Sequence, residues 1–299
     1  MEFCQSDTGN PSSVTSPSPL KRYGVVGHPI EHSRSPSIHA EFARQTGIAL
    51  RYEKILAPLD GFDEVVQRFF AEGGAGLNVT VPFKEAAWKL ARQDLSLRAR
   101  MAGAVNTLWM HEGRLHGCNT DGIGLLRDLE RLGHPPAGKH ILLVGAGGAA
   151  KGVVLPLMEA GCATLRIVNR SPARALDLRA HVLHYMPELE MRLQAGSLDQ
   201  AGGPWDIVIN ATSSSLGDAP PALPQGLYAP QALAYDMVYA ANATPFMRQA
   251  QAMGANHTAD GLGMLVGQAA ASFAIWHGVM PETESVLRQL RQSLTPGHG

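Results

Sequence analysis

Two kinds of block alternate along most of this chain. Short apolar runs such as "RYGVVG", "RYEKIL" and "GAGLNVTV" end at glycine or polar residues and read as strands. Between them, apolar residues recur three and four positions apart, as on one face of a helix. In "SPSIHAEFARQTG", Ile38, Phe42 and Ala43 share such a face and Gly47 marks a C-terminal stop. "DGFDEVVQRFFAEG" and "PFKEAAWKLAR" read as a second and a third helix, and "GAVNTLWMHEGRLHGCNTDG" as two strands around the turn "HEGR".

The longer "TDGIGLLRDLERLG" carries Ile123, Leu126 and Leu129 in helical phase. "HPPAGK" is a Pro/Gly connector, and from Lys139 the alternation restarts. "HILLVGAGGAAKGVVLPLMEAG" is strand, glycine turn and helix. "TLRIVNR", "WDIVINAT" and "LAYDMVY" are strands; "SPARALDLRAHVL" and "TPFMRQAQAMG" are helices. "GLGMLVGQAAASFAIWHG" and "PETESVLRQLRQSL" close the chain as helices. The pattern predicts an α/β protein with mostly parallel, helix-covered sheet and a second domain after the connector.

Composition narrows the class. The 299 residues are enough for two domains, and a net charge of −1 gives no reason to expect nucleic acid or an anionic membrane as partner. Cys4, Cys118 and Cys162 fit neither a disulfide framework nor a zinc pattern, which points to a reducing, cytoplasmic compartment. The twelve histidines are dispersed without metal-ligand spacing, so no metal is expected. The N-terminal "MEFCQSDTGNPSSVTSPSPL" lacks an apolar run and reads as a disordered tail, residues 1–20. "MLVGQAAASFAIWHGVM" is interrupted by Gln268 and reads as a buried helix rather than a membrane span.

The glycine turn "GAGGAA" carries Gly145, Gly147 and Ala150 between a strand and a helix, flanked by Ala146, Gly148 and Ala149. In that context the first glycine permits the sharp turn. The second admits a pyrophosphate against the backbone, and the small third residue lets helix and strand pack closely. The next strand ends "IVNRSPAR", where an NAD enzyme would place an acid for the ribose 2′-hydroxyl. Asn169, Arg170, Ser171 and Arg174 stand there instead, and an arginine fork suits a 2′-phosphate. The cofactor expected is therefore NADP.

Lys84 in "NVTVPFKEAAWKL" is out of place on local grounds. Pro82 reads as the first helical residue, which leaves Lys84 in the first turn, against the positive end of the helix dipole. Other polar residues gather at strand ends: Ser33, Ser35, Asn78, Thr80, Asn106, Thr120, Asp121, Tyr239 and Gln268. Ser35, Thr120 and Asp121 also fit helix caps, Asn106 a turn, and Gln268 a satisfied polar group in a core helix.

Nine motifs, "GHPIEHSRSPSIH", "NVTVPFKE", "GAVNTL", "GCNTDGIG", "VGAGGAAKG", "NRSPAR", "INATS", "YDMVY" and "ADGLGMLVGQAA", occur in the order seen in shikimate dehydrogenases. The chain resembles that family from Tyr23 to Gly278. Ala150 and Lys151 stand where members often carry Ser and Arg, and they conserve size and charge.

The resemblance implies an N-terminal substrate domain, residues 21–120 with 262–299, and a Rossmann-like NADP domain, residues 121–261. The last helices would pack back on the first domain. It further implies that Ser33 and Ser35 hold the substrate carboxylate with Tyr239 nearby. Asn78, Thr80, Asn106 and Gln268 would bond ring hydroxyls, and Lys84 and Asp121 would form the catalytic pair. Thr212 within "NATS", Met237 and Gly261 would lie on the nicotinamide side.

The implied reaction is the reversible NADPH-dependent reduction of 3-dehydroshikimate to shikimate. The substrate is a small molecule, and the protein is expected as a monomer or homodimer. As the ketone oxygen gains negative charge, Lys84 can steady it and supply a proton. A quinate or dual quinate/shikimate dehydrogenase is the nearest rival. A non-catalytic sensor of a dinucleotide or cyclic acid is a rival of another class, and would leave Lys84 and Asp121 without a task. A folate-linked dehydrogenase of similar layout would not need the serines of "HSRSP".

Overall fold

The computed structural model describes residues 20–212 and 219–294. The expected tail up to residue 19, Cys4 and Ser213 of the "NATS" motif lie outside the described residues.

The chain first lays down β1 (Lys21–Gly27), α1 (Ser35–Thr46), β2 (Leu50–Leu56), α2 (Phe62–Ala71), β3 (Gly74–Val79), α3 (Lys84–Leu90), β4 (Asp94–Leu95), α4 (Leu97–Ala102), β5 (Thr107–His111) and β6 (Arg114–Cys118). Their strands form one sheet in the order β2-β1-β3-β5-β6-β4. Three of its five pairings are parallel: β1 with β2, β1 with β3, and β4 with β6. The β5–β6 hairpin is antiparallel and pairs antiparallel with β3, so this sheet is mixed. The hairpin turns at Glu112 and Gly113, both at positive φ, as a tight two-residue turn requires.

Next, α5 (Asp121–Arg131) leads to β7 (His140–Val144), α6 (Gly148–Glu159), β8 (Thr164–Asn169), α7 (Pro172–Tyr185), β9 (Leu193–Ser197), β10 (Trp205–Asn210), β11 (Tyr228–Asp236), α8 (Pro245–Ala252) and β12 (His257–Asp260). The six strands form an all-parallel sheet in the order β12-β11-β10-β7-β8-β9. Counted from β7 this is the doubly wound order 3-2-1-4-5-6, with its switch point between β7 and β10. The helices α9 (Leu262–His277) and α10 (Glu284–Leu294) complete the chain.

Both sheets have apolar cores. The first is built on Val26, Phe62, Val66, Phe69, Leu77 and Leu108. The second has a core on each face, one around Ile141, Leu143, Val153 and Ile167, the other around Leu142, Val144, Val208 and Phe246. The last helices return to the first: Ile38 and Phe42 of α1 pack with Leu262, Val266 and Phe273 of α9 and with Val286 and Leu290 of α10.

Three local expectations differ. Pro82 is not the first helical residue; it sits in the turn closed by the Phe83 N–H to the Thr80 carbonyl (3.0 Å), and α3 begins at Lys84. Lys84 remains in the first turn, as expected. On α5 the buried residues are Asp121, Gly122, Gly124, Leu125, Asp128 and Leu129, while Ile123 and Leu126 are half-buried. That helix is packed on two sides, by α6 and α9, so a single apolar stripe does not describe it. The short β4, α4, β9 and β12 were not anticipated.

Candidate active site

The carboxyl ends of β1 and β3 and the start of α1 face the ends of β11 and β12 across a cavity of about 470 Å³. Its lining includes Ser33, Ser35, Asn78, Thr80, Lys84, Asn106, Asp121, Tyr239 and Gln268, so the structure gathers every expected substrate and catalytic residue in one place. Met237 and Gly261 line the same space.

The polar floor of the cavity is a connected network. Lys84 Nζ donates to Asp121 Oδ2 at 2.7 Å, with the lysine side chain 24% exposed and the aspartate 7%. Asn106 Nδ2 donates to Asp121 Oδ1 at 2.8 Å and to Thr120 Oγ1 at 2.9 Å, and approaches Gln268 Oε1 at 3.3 Å. The Asn106 amide cannot be reversed, because the backbone N–H of Thr120 donates to its Oδ1 at 2.9 Å. Asn119 accepts the Asp121 N–H at 3.0 Å and donates to the Ala104 carbonyl at 3.2 Å, fixing the start of α5. A partly buried ammonium–carboxylate pair therefore faces the cavity, its carboxylate held on both oxygens.

The competing roles resolve locally. Thr120 occupies the N-cap position of α5 but makes no side-chain cap bond, and its hydroxyl donates to the Gln268 carbonyl at 3.0 Å. Ser35 is the first residue of α1 rather than its cap, and its N–H donates to Ser33 Oγ at 3.3 Å. Asn106 is a buried network residue rather than a solvated turn. Gln268 Nε2 donates to the Leu265 carbonyl at 3.0 Å, which leaves its oxygen toward Asn106. Burial raises the Tyr239 phenol above its ordinary range, against a lowering by the nearby Arg34 guanidinium. Cys118 is buried, packed with its Sγ 3.8 Å from the Asn119 carbonyl oxygen.

At the switch point, Gly145 has φ +116°, a conformation that a side chain would strain, and a Cβ there would press on the Ala211 carbonyl and Thr212 at 3.1 Å. A Cβ on Gly147 or Gly148 would meet nothing within 4 Å, so the N-terminus of α6 presents open backbone. A second cavity of about 550 Å³ runs from Ala146, Gly147 and Gly148 to Lys151 and Arg174. Ala149, beside them, is half-buried. Asn169 ends β8, and Arg170 and Ser171 lead from it into α7. The Asn169 amide donates to the Ser171 carbonyl at 2.9 Å. Arg170 and Arg174 are exposed. Thr212 Oγ1 donates to Asn210 Oδ1 at 2.7 Å, and Met237 N–H to the Asn210 carbonyl at 2.9 Å.

Sequence reasoning missed several residues of the site. Arg34 lines the first cavity and stands between the two serines of "HSRSPS", where it was open to notice. Tyr52, Thr107 and Ser272 carry part of the buried network, but an aromatic in a strand or a serine in an apolar helix looks like core. Among the described residues no grouping of three or more His, Cys, Asp and Glu could hold a metal, and no helix is long and apolar enough to cross a membrane.

A doubly wound sheet with an open glycine turn, joined to a second α/β unit through a polar cavity, defines a protein of the dinucleotide-dependent dehydrogenase class. A relative from Bordetella avium (strain 197N), named shikimate dehydrogenase (NADP(+)), is 64% identical over 281 residues, covering 94% of this chain and 99% of its own. The chain belongs to the shikimate dehydrogenase family. Residues 25–108 match the family model for the shikimate dehydrogenase substrate binding domain, 130–217 that for shikimate / quinate 5-dehydrogenase, and 261–291 that for the shikimate 5'-dehydrogenase C-terminal domain. A second relative of the same name, from Bordetella petrii, is 61% identical over 279 residues, 93% of this chain and 97% of its own. The crystal structure of shikimate 5-dehydrogenase from Thermus thermophilus, in complex with NADP(H) and shikimate, has a TM-score of 0.80 at 35% identity, covering 92% of this chain and 100% of that one.

Proposed function

We propose that this chain catalyses the reversible NADP-dependent interconversion of 3-dehydroshikimate and shikimate, a step toward chorismate and the aromatic amino acids. The observation that carries the reading is the Lys84–Asp121 pair, closed at 2.7 Å on the wall of a cavity that also holds two serine hydroxyls and three side-chain amides.

The residues present fit NADP. Open backbone at Gly147 and Gly148 would accept a pyrophosphate, and Arg170, just after β8, and Arg174, in the first turn of α7, would meet a 2′-phosphate. The bound dinucleotide supplies the reducing equivalent, with Thr212, Met237 and Gly261 beside its nicotinamide end. Ser33 and Ser35 donate to the substrate carboxylate, and Tyr239 and the charge of Arg34 add to that end of the cavity. Asn78, Thr80, Asn106 and Gln268 bond the ring hydroxyls.

Lys84 Nζ faces the reacting oxygen. In the reducing direction its ammonium steadies the growing alkoxide and gives up a proton to it. Asp121 holds the lysine in place, and its second oxygen is fixed by Asn106. The lysine, partly exposed, recovers its proton from water.

Residues 21–120 with 262–299 form the substrate domain, and residues 121–261 the cofactor domain. The protein acts as a monomer or a homodimer. The buried free thiols Cys118 and Cys162 are in keeping with a reducing cytoplasm.

Absorbance at the nicotinamide band, with shikimate or quinate supplied against NADP⁺ or NAD⁺, tests the reading. Shikimate with NADP⁺ is expected to give the highest kcat/KM of the four pairs. Faster turnover of quinate would move the assignment to the quinate branch, and dinucleotide binding with no turnover would support a sensor.

A further inference from the structure

We propose that Tyr52 is a positioning residue for the substrate, holding from behind the cavity wall the Asn78 side chain that the proposed function assigns to the ring hydroxyls. The inference rests on that substrate reading.

The geometry begins at Asn78. Its amide orientation is fixed from outside, because the atom 3.1 Å from the Asn106 carbonyl oxygen must be the donor Nδ2. The same nitrogen donates to Ser272 Oγ at 2.9 Å. Both amide hydrogens are thus directed into the protein. Oδ1 takes one hydrogen bond, from the Tyr52 hydroxyl at 2.8 Å. Asn78 is left with one oxygen lone pair, so the ligand group it reads is a hydroxyl that donates. The Tyr52 phenol is the group that holds this oxygen from inside the protein.

Asn78 lines the main cavity, whereas Tyr52 itself stays behind the wall. Burial holds the phenol well above its ordinary range, so it remains a neutral donor. The ring is held flat on the imidazole of His39, with centroids 4.3 Å apart and planes within 10°. His39 is itself fully buried against Phe42, Phe273 and Trp276. The phenol is therefore a rigid support behind one ligand-facing group. Removing its oxygen should loosen substrate geometry while leaving the core packed.

Tyr52→Phe keeps the stack and deletes the oxygen. Shikimate KM is expected to rise about 5- to 10-fold, the size of one lost orienting hydrogen bond. NADP⁺ KM should stay within about twofold and Tm should barely move. On an Asn78→Ala background the same substitution should raise shikimate KM clearly less, because the amide it orients is gone. On an Asn78→Ser background the added effect should shrink as well, which gives a second reading if the alanine double variant folds poorly. Equal factors on all backgrounds, or a fall in Tm with KM unchanged, would overturn the positioning role. Wild-type protein that does not turn over shikimate would instead remove the substrate reading beneath it.

Discussion

Single side chains in this site are legible through what they can donate and accept. Asn106 and Asn78 each have one amide orientation, set by a backbone group that admits no alternative. In the proposed function, Arg170 and Arg174 are the charged pair that would select the cofactor. Replacing both with alanine should weaken NADPH by a factor on the order of 10 or more, since charge-assisted bonds to phosphate are lost, with NADH little affected; equal weakening in steady-state KM for both cofactors would defeat the 2′-phosphate assignment. His39 makes a prediction about pH. Burial pushes it down to about 3 from an ordinary 6.5, so between those values the unfolded chain binds a proton that the folded chain refuses. The stability this group contributes is whole above about pH 6.5. It is lost as pH falls toward 3, at up to about 1.4 kcal/mol per pH unit. A His39→Phe variant should lose less Tm than wild type between pH 7 and pH 5, and parallel losses would contradict the prediction. The polar residues lining the main cavity were readable because their types and spacing are unusual for structure, as with a lysine in the first turn of a helix. His39 and Tyr52 were not, because a buried ring gives the same signal whether it packs or positions.

At the scale of elements, strands with an apolar run and helices with a stripe declared themselves. β7, β8 and β10 are such strands, and the helices α1 and α2 end near the expected residues. β9 reads "LQAGS" and β12 "HTAD"; they are the two edge strands of the second sheet, and a polar edge carries no periodic signal. The two-residue β4 is too short for any pattern. Helix α5 was misjudged in its buried face because α9 approaches it backbone to backbone. A Cβ on Gly124 would lie 2.5 Å from the Met264 carbonyl oxygen, and one on Gly263 would lie 1.9 Å from Asp128 Oδ1. Asp128 is buried and engaged by the Tyr235 hydroxyl at 2.7 Å and by Arg131 Nε at 2.8 Å, so it has nowhere to move. Gly263→Ala should therefore destabilise by on the order of 2–4 kcal/mol, through overpacking and a broken buried network. Urea unfolding would show it, and an unchanged midpoint would mean that the two helices slide apart freely.

The whole molecule is two sheets joined by the α5–α9 contact, with the Lys84–Asp121 pair on the wall between them. The return of the last helices to the first sheet came from resemblance, since no local pattern specifies where a helix docks. The structure adds the clasp: Arg291 of α10 donates to the Asp260 carboxylate at the end of β12, with Nη1 2.8 Å from Oδ2, tying the C-terminal helix to the second sheet. The α5–α9 contact and this clasp hold Lys84 of the first sheet's unit opposite Met237 and Gly261 of the second's. The central claim is that this lysine handles the charge and the proton at the reacting oxygen. It is tested most directly by the turnover of shikimate with NADP⁺ in Lys84→Met, measured beside NADP⁺ affinity. The account predicts that kcat falls by on the order of 10²–10⁴ with cofactor affinity within about twofold of wild type, and a variant that turns over shikimate at close to the wild-type rate would contradict it.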